Sequence, residues 1–253
     1  MDTGRVLLEV CVDSAADAVA AAEGGADRVE LCTGLIAGGL TPGPGTIRIT
    51  RKILEVAVMV MVRPRGGDFL YDAVEFEVME QDVLSAREAG ADGVVFGLLN
   101  PDGTIDEERT GKLAELARPM QVTFHRAFDM TRDPFEALDT LVAMGIDRVL
   151  TSGQETTVPD GLGPLAGLVD RAGDRIIVMP GCGIRLHNVR QVLERTGARE
   201  IHFTAETTRE SSMQFRNERC RMGGSKVPGE YERIVTDAER VRHFVRAVRG
   251  VNP

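Results

Sequence analysis

The 253-residue sequence predicts an α/β protein folded as a single TIM-type (β/α)8 barrel spanning 1–253. Three observations predict it: strand and helix patterns that alternate strictly, a weak internal repeat, and a length close to the roughly 250 residues of such a barrel. The repeat runs Gly25-Ala-Asp-Arg-Val-Glu-Leu-Cys, Gly90-Ala-Asp-Gly-Val-Val-Phe-Gly, Gly145-Ile-Asp-Arg-Val-Leu-Thr-Ser and Gly197-Ala-Arg-Glu-Ile-His-Phe-Thr. Each glycine ends a helix, and each following segment is a short β-branched strand. An open doubly wound sheet is the alternative, but eight units in a chain of this length favour closure.

In chain order, Arg5–Cys11 reads as the first strand, ending in Leu-Glu-Val-Cys. Ser14 with Asp17 then caps an alanine-rich helix over 14–23 that stops at Gly24-Gly25. Val29–Cys32 follows as the second strand and repeats the Glu-x-Cys ending. Apolar strands at Val56–Val62, Met120–Phe124 and Arg175–Met179 alternate with the remaining repeats, giving eight in all. Further helices are expected near 44–55, 72–89, 106–117, 134–144, 161–172, 185–195 and 237–249. Asp133-Pro134 reads as an N-cap with proline at the first helical position, and Thr236 with Glu239 as a capping box. Two connections are long: Thr33–Thr41, with three glycines, and 205–236 after strand 8, which shows no helix of its own. A stretch of the second length suits a lid or an interface, with Met213, Phe215 and Tyr231 as its contact residues.

Composition bounds the function. Net charge is −9, no basic run stands out, and nucleic acid is not indicated as a partner. The start of the chain does not read as a signal peptide, and Val56–Val62 is too short to span a bilayer. Four cysteines without short paired spacing suggest reduced thiols rather than disulfides. These features predict a soluble, acidic, cytoplasmic protein that does not enter the membrane. No lysine ends a strand, which argues against a Schiff-base aldolase.

Strand parity places the candidate site. Side chains alternate faces with period two, so Glu9 and Cys11 share one face, as do Glu30 and Cys32. Aligned on their glycines, the four repeats give one interior column of Glu30, Val95, Leu150 and His202, and a second of Cys32, Gly97, Ser152 and Thr204. Alternate strands fill one interior layer of such a barrel, and its sites lie at the C-terminal rim. Adjacent thiols at Cys11 and Cys32 suit Cu(I) or zinc, and two sulfurs could give a low-coordinate Cu(I) site; buried cysteines acting as small apolar residues are the plainer reading.

Other rim residues have two readings each. Arg63 and Arg65, in Arg-Pro-Arg-Gly-Gly-Asp-Phe, could hold a small anionic ligand or neutralise Glu9 and Glu30. His125 and Asp129, in Thr-Phe-His-Arg-Ala-Phe-Asp, could act with Glu9, Glu30 and His202 as acid–base groups if the protein is an enzyme, or serve structure alone. His187 and His243 are expected on the surface, and Cys182 and Cys220 have no evident partner. Ser152 and Gly153 after strand 6, with Gly181 and Gly183 after strand 7, resemble a phosphate-binding rim, though such glycines also simply make tight turns.

Together these motifs, with Gly-Gly-Leu-Thr-Pro at 38–42, Leu-Thr-Ser-Gly at 150–153 and Met-Pro-Gly-x-Gly-Ile at 179–184, resemble the CutC copper-homeostasis family from about Leu8 to Val241. The resemblance implies a TIM-type barrel, a cytoplasmic homo-oligomer (dimer or tetramer), and a role in copper handling with Cys11 and Cys32 as the copper ligands. The alternative is an enzyme acting on a small anionic metabolite in a rim pocket of Glu, Arg and His. Two positions depart from the family pattern: Cys182 stands where glycine is expected, and Gly43 where serine is expected.

Overall fold

Short β-branched segments bounded by glycine-ended helices form parallel strands in the computed structural model, which describes residues 5–220, 222 and 228–250. The barrel strands are β1 (Leu7–Val12), β2 (Arg28–Leu31), β3 (Ala57–Met61), β4 (Gly93–Phe96), β5 (Gln121–Phe124), β6 (Arg148–Thr151), β7 (Ile177–Pro180) and β8 (Glu200–Phe203). They pair in parallel in the order β7-β6-β5-β4-β3-β2-β1-β8, and an isolated parallel bridge from Gly181 to His202 joins the two ends. A side chain at Gly181 would run into Leu150 and His202, so this closure needs glycine.

The helices are α1 (Ala15–Glu23), α2 (Pro44–Ile53), α3 (Ala73–Glu88), α4 (Glu107–Ala117), α5 (Pro134–Ala143), α6 (Leu162–Ala172), α7 (Val189–Thr196) and α8 (Ala238–Arg249). The Ser14 hydroxyl accepts from the Asp17 amide, and Asp133 accepts from the amides of Phe135 and Glu136, as the sequence predicts. The cap of α8 is Asp237 rather than Thr236, because Thr236 still belongs to a strand ladder. Helix α7 begins later than expected, since Arg185–Asn188 forms a turn in which the Asn188 side chain accepts from the Arg185 amide. Gly43 caps α2 with no side-chain acceptor, the role a serine there would fill.

The aspartates of the repeat have a structural role. Asp27, Asp92 and Asp147 accept the backbone amides of Leu8, Val58 and Val122, each on the preceding neighbour strand. Arg5, Arg51 and Arg118 hold the same three carboxylates. The first three repeats thus staple their strands to the one before at the N-terminal side of the barrel, whereas the fourth carries Arg199 in place of the aspartate.

Parity divides the core in two. Leu8, Val10, Val29, Leu31, Val58, Val60, Val94 and Phe96 pack outward against the helices, whereas Cys11, Cys32, Met59, Met61 and Val95 form a separate apolar cluster inside the barrel.

The segment after β8 carries an antiparallel hairpin, β9 (Glu206–Glu210) with β10 (Glu232–Thr236). The sequence reading missed it because this ribbon is largely solvent-facing and lacks the apolar alternation of a half-buried strand. Met213 and Phe215 are exposed in the connection, and the Tyr231 hydroxyl accepts the Asn217 amide. Residues 221 and 223–227 of this stretch lie outside the described residues.

Candidate metal centre

Register alone assembles the centre. In the β1–β2 ladder Glu9 faces Arg28 and Cys11 faces Glu30, while in the β1–β8 ladder Glu9 faces His202. Five inward side chains, Glu9, Cys11, Glu30, Cys32 and His202, therefore meet inside the barrel near the C-terminal ends of β1, β2 and β8, all buried. The Cys11 and Cys32 sulfurs lie 3.9 Å apart. Both thiols donate to one carboxylate oxygen, Glu30 Oε2, at 3.2 and 3.5 Å. On the other side His202 Nδ1 is 2.8 Å from Glu9 Oε1, and its Nε2 is 3.8 Å from Glu30 Oε2. Donor atoms of Cys11, Glu30 and Cys32 lie within 4.8 Å of one another, as do those of Glu9, Glu30 and His202.

The protonation pattern follows from these neighbours. The Cys32 hydrogen bond and burial hold the Cys11 thiol well above its ordinary value. For Cys32 the bond from Cys11 acts downward, but burial and the Glu30 carboxylate outweigh it and push the thiol up to about 12. Burial, reinforced by the Glu9 charge, raises Glu30. Burial also disfavours charge on Glu9, yet Arg28 and His202 hold it well below the usual carboxylate range. His202 is raised despite burial, by Glu30, Cys11 and Glu9. These shifts favour neutral thiols beside a protonated imidazole.

The cations that balance the interior are not those expected. Arg28 bridges Glu9 and Glu200, and Arg148 reaches Glu200 at 2.6 Å and Thr123 Oγ1 at 3.1 Å. Arg63 and Arg65 do not neutralise Glu9 or Glu30. The Arg63 guanidinium donates to the carbonyls of Ala37, Gly38, Gly39 and Gly67, pinning the glycine-rich connection after β2. Arg65 pairs with Glu75 and Asp68 outside the barrel. Both follow β3 beyond its last residue, above the layer in which the carboxylates lie, whereas Arg28 shares parity with Glu30.

The remaining candidates lie apart from the centre. His125 is buried beside Phe69, its Nδ1 accepts the Ala127 amide, and burial together with Arg63 lowers its pKa to about 3. Asp129 organises the loop after β6: it accepts the Ser152 amide and hydroxyl, the Gln154 amide and the Thr151 hydroxyl, and pairs with Arg126 at 2.7 Å. The Gly153 amide donates to Thr151 Oγ1 and the Gly181 amide to the Thr151 carbonyl, so both are engaged within the protein. Gly183 lends its carbonyl to Asn188. Cys182 adopts φ +87°, the conformation glycine favours, and its sulfur faces the Thr156 carbonyl. His187 and His243 are exposed, and Cys220 contacts the Met222 sulfur on the surface.

Leu35, which packs against the interior cysteine cluster, also lines a cavity of about 600 Å³ that the hairpin β9–β10 walls together with Asp13, Asp17 and Ile36. Glu206, Glu232 and Arg233 also line it, leaving the wall acidic on balance.

Comparison with known proteins agrees with this arrangement. The CutC family profile matches residues 6–207. The mouse and human proteins named copper homeostasis protein cutC homolog are each 50% identical over 236 residues, covering 93% of this chain and 87% and 86% of theirs. The CutC crystal structure from Streptococcus agalactiae superposes with a TM-score of 0.75 at 33% identity, covering 78% of this chain and 98% of that one. N-(5'-phosphoribosyl)anthranilate isomerase from Pyrococcus furiosus, at 14% identity and a TM-score of 0.57, shares the barrel fold alone, over 98% of this chain and 100% of its own. With its barrel, its paired strand-end cysteines and this extent of similarity, the chain belongs to the CutC family.

Proposed function

We propose that the protein serves copper homeostasis in the cytoplasm by holding Cu(I) between Cys11 and Cys32. The observation that carries this reading is the pair of buried sulfurs 3.9 Å apart, a gap that two metal–sulfur bonds of about 2.3 Å can span. Thiolates select Cu(I), and the thioether side chains of Met59 and Met61 in the same interior cluster keep the surroundings soft. Glu30 is placed to relay the thiol protons that ligation displaces toward solvent, one at a time, since both thiols already donate to its Oε2. The acidic cavity that shares Leu35 with the cysteine cluster favours approach of a cation. No helix among the described residues is long and apolar enough to cross a membrane.

The test is an anaerobic Cu(I) titration of the reduced protein against a competing chelator. One tightly held ion per chain, lost in Cys11→Ser/Cys32→Ser, is the expected result. Binding indifferent to those residues would sink the copper site.

A small anionic ligand at the arginine side of the mouth is the second reading. It is favoured by the buried Arg63 Nε and His125 Nε2, which have no hydrogen-bond partner. Inorganic phosphate would then protect the wild type, but not Arg63→Ala, against thermal unfolding. The homo-oligomer contact falls by this proposal on a second copy at Met213 and Phe215, which are 59% and 77% exposed. Phe215→Glu should lower the mass measured by light scattering.

A further inference from the structure

Two more donors converge on the cysteine pair, and neither is needed for a two-sulfur Cu(I) site. Glu30 Oε2 lies 3.2 and 3.5 Å from the two sulfurs, which are 3.9 Å apart, and His202 Nε2 lies 3.8 Å from that oxygen. A tetrahedral ion with bonds of about 2.3 Å to sulfur and about 2.1 Å to nitrogen or oxygen sets its donors roughly 3.4–3.8 Å apart. Four of the six edges match that polyhedron within a few tenths of an ångström, and His202 joins through Glu30, which the donor triads Cys11–Glu30–Cys32 and Glu9–Glu30–His202 share. We propose that Cys11, Cys32, Glu30 and His202 form a four-coordinate site for a divalent ion of the zinc class.

Two independent observations point the same way. His202 turns Nδ1 toward Glu9, which is itself held by Arg28, and this directs Nε2 toward Glu30. A metal-binding imidazole is usually oriented by such a carboxylate. The second is Glu30 Oε1, a buried carboxylate oxygen at the centre with no hydrogen-bond partner. Charge decides the class of ion. Two thiolates and a carboxylate carry three negative charges, which a dication offsets better than Cu(I), and carboxylate and imidazole are harder donors than a Cu(I) site selects. Loading releases the two thiol protons and the proton on His202 Nε2 to solvent, with no change of oxidation state.

This site shares its thiols with the copper reading and rests on that reading's premise that both can ligate. Its test begins with the reduced full-length wild type, titrated anaerobically with Co(II) as a spectroscopic stand-in. Intense visible d–d bands and sulfur-to-cobalt charge transfer are expected, erased by an equivalent of Zn(II). Zinc-edge X-ray absorption of the Zn(II)-loaded wild type, which needs no variant to fold, should show two sulfur and two lighter neighbours. His202→Gln and Glu30→Gln should weaken Zn(II) at least tenfold, a larger loss than either causes for Cu(I). Glu9→Gln should weaken Zn(II) about 10–100-fold through the orientation of His202.

A weak six-coordinate cobalt spectrum, an all-sulfur or all-light-atom zinc shell, or unchanged affinity in both His202→Gln and Glu30→Gln would overturn the four-donor site. If Cu(I) still bound through the cysteines, the copper reading would stand without it. A mixed zinc shell beside Cu(I) binding indifferent to Cys11→Ser/Cys32→Ser would overturn the copper reading alone.

Discussion

His202 Nδ1 sits 2.8 Å from Glu9 Oε1, across 193 positions of sequence, because β8 pairs with β1 in the register that sets these two residues side by side. The contact couples the charge network at the base of the barrel to the thiols at its rim. Below it Arg28 fixes Glu9; above it the second ring nitrogen faces Glu30, which accepts from both cysteines. Burial keeps every member out of water, so each state of charge depends on the others.

Cu(I) affinity should therefore climb with pH. Both thiols are held above their ordinary range and stay protonated at neutral pH, so each ion bound must displace two protons. Apparent affinity should rise by up to about a hundredfold per pH unit while both thiols remain protonated in the free protein. Chelator competition between about pH 6 and about pH 8 measures the slope. A flat profile would mean that the thiols are not the ligands.

Arg28→Ala should be among the most damaging single changes. The side chain is 3% exposed and bridges Glu9 to Glu200, so its loss leaves two buried carboxylates short of a cation. Removing one partner of such a buried network costs about 3–5 kcal/mol. Urea unfolding of the two proteins would show it as a lower midpoint. A loss under about 1 kcal/mol would mean that Arg148 carries the charge balance alone.

His125 should make the fold acid-sensitive. Its pKa falls from 6.5 to about 3 on folding, through burial and the charge on Arg63. The unfolded chain therefore takes up a proton below pH 6.5 that the folded chain refuses until near pH 3. The associated stability is fully present above 6.5 and is lost as pH falls through that window, at up to about 1.4 kcal/mol per unit. His125→Asn should flatten this limb in urea midpoints collected across it. An equally steep limb in the variant would place the acid sensitivity elsewhere.

The barrel and half of its centre were legible because both rest on periodicity. Glycine-ended helices and period-two strands located all eight units, and the aligned column through Glu30 and His202 put the acid and the imidazole on the interior face. Arg28, Arg148 and Glu200 went unread although the same column predicts them: each stands two residues before Glu30, Leu150 or His202 and so shares its face. They stand at the strand starts, whereas the functional groups of such a barrel gather at the opposite rim. Where a long side chain sends its charge was not legible. Arg63 turning to carbonyls and Asp129 to loop amides are set by loop conformation, which has no period to read.

Cys182→Gly should stabilise the protein. The resemblance to the CutC family implies glycine at this position, and the backbone there has φ +87°, where a Cβ crowds the following carbonyl. In return the sulfur gains one contact, 3.3 Å to the Thr156 carbonyl, in which a thiol is a weak donor. Glycine relieves the crowding but frees the unfolded chain, so the net gain should be about 0.5–1 kcal/mol, or roughly 1–4 °C in Tm. The backbone bond from the Val158 amide to the Cys182 carbonyl is independent of the side chain and should survive. Cys182 lies outside the group formed by Cys11, Glu30 and Cys32, so metal stoichiometry should not change. A lower Tm would show that the thiol anchors this loop more firmly than its backbone strains it.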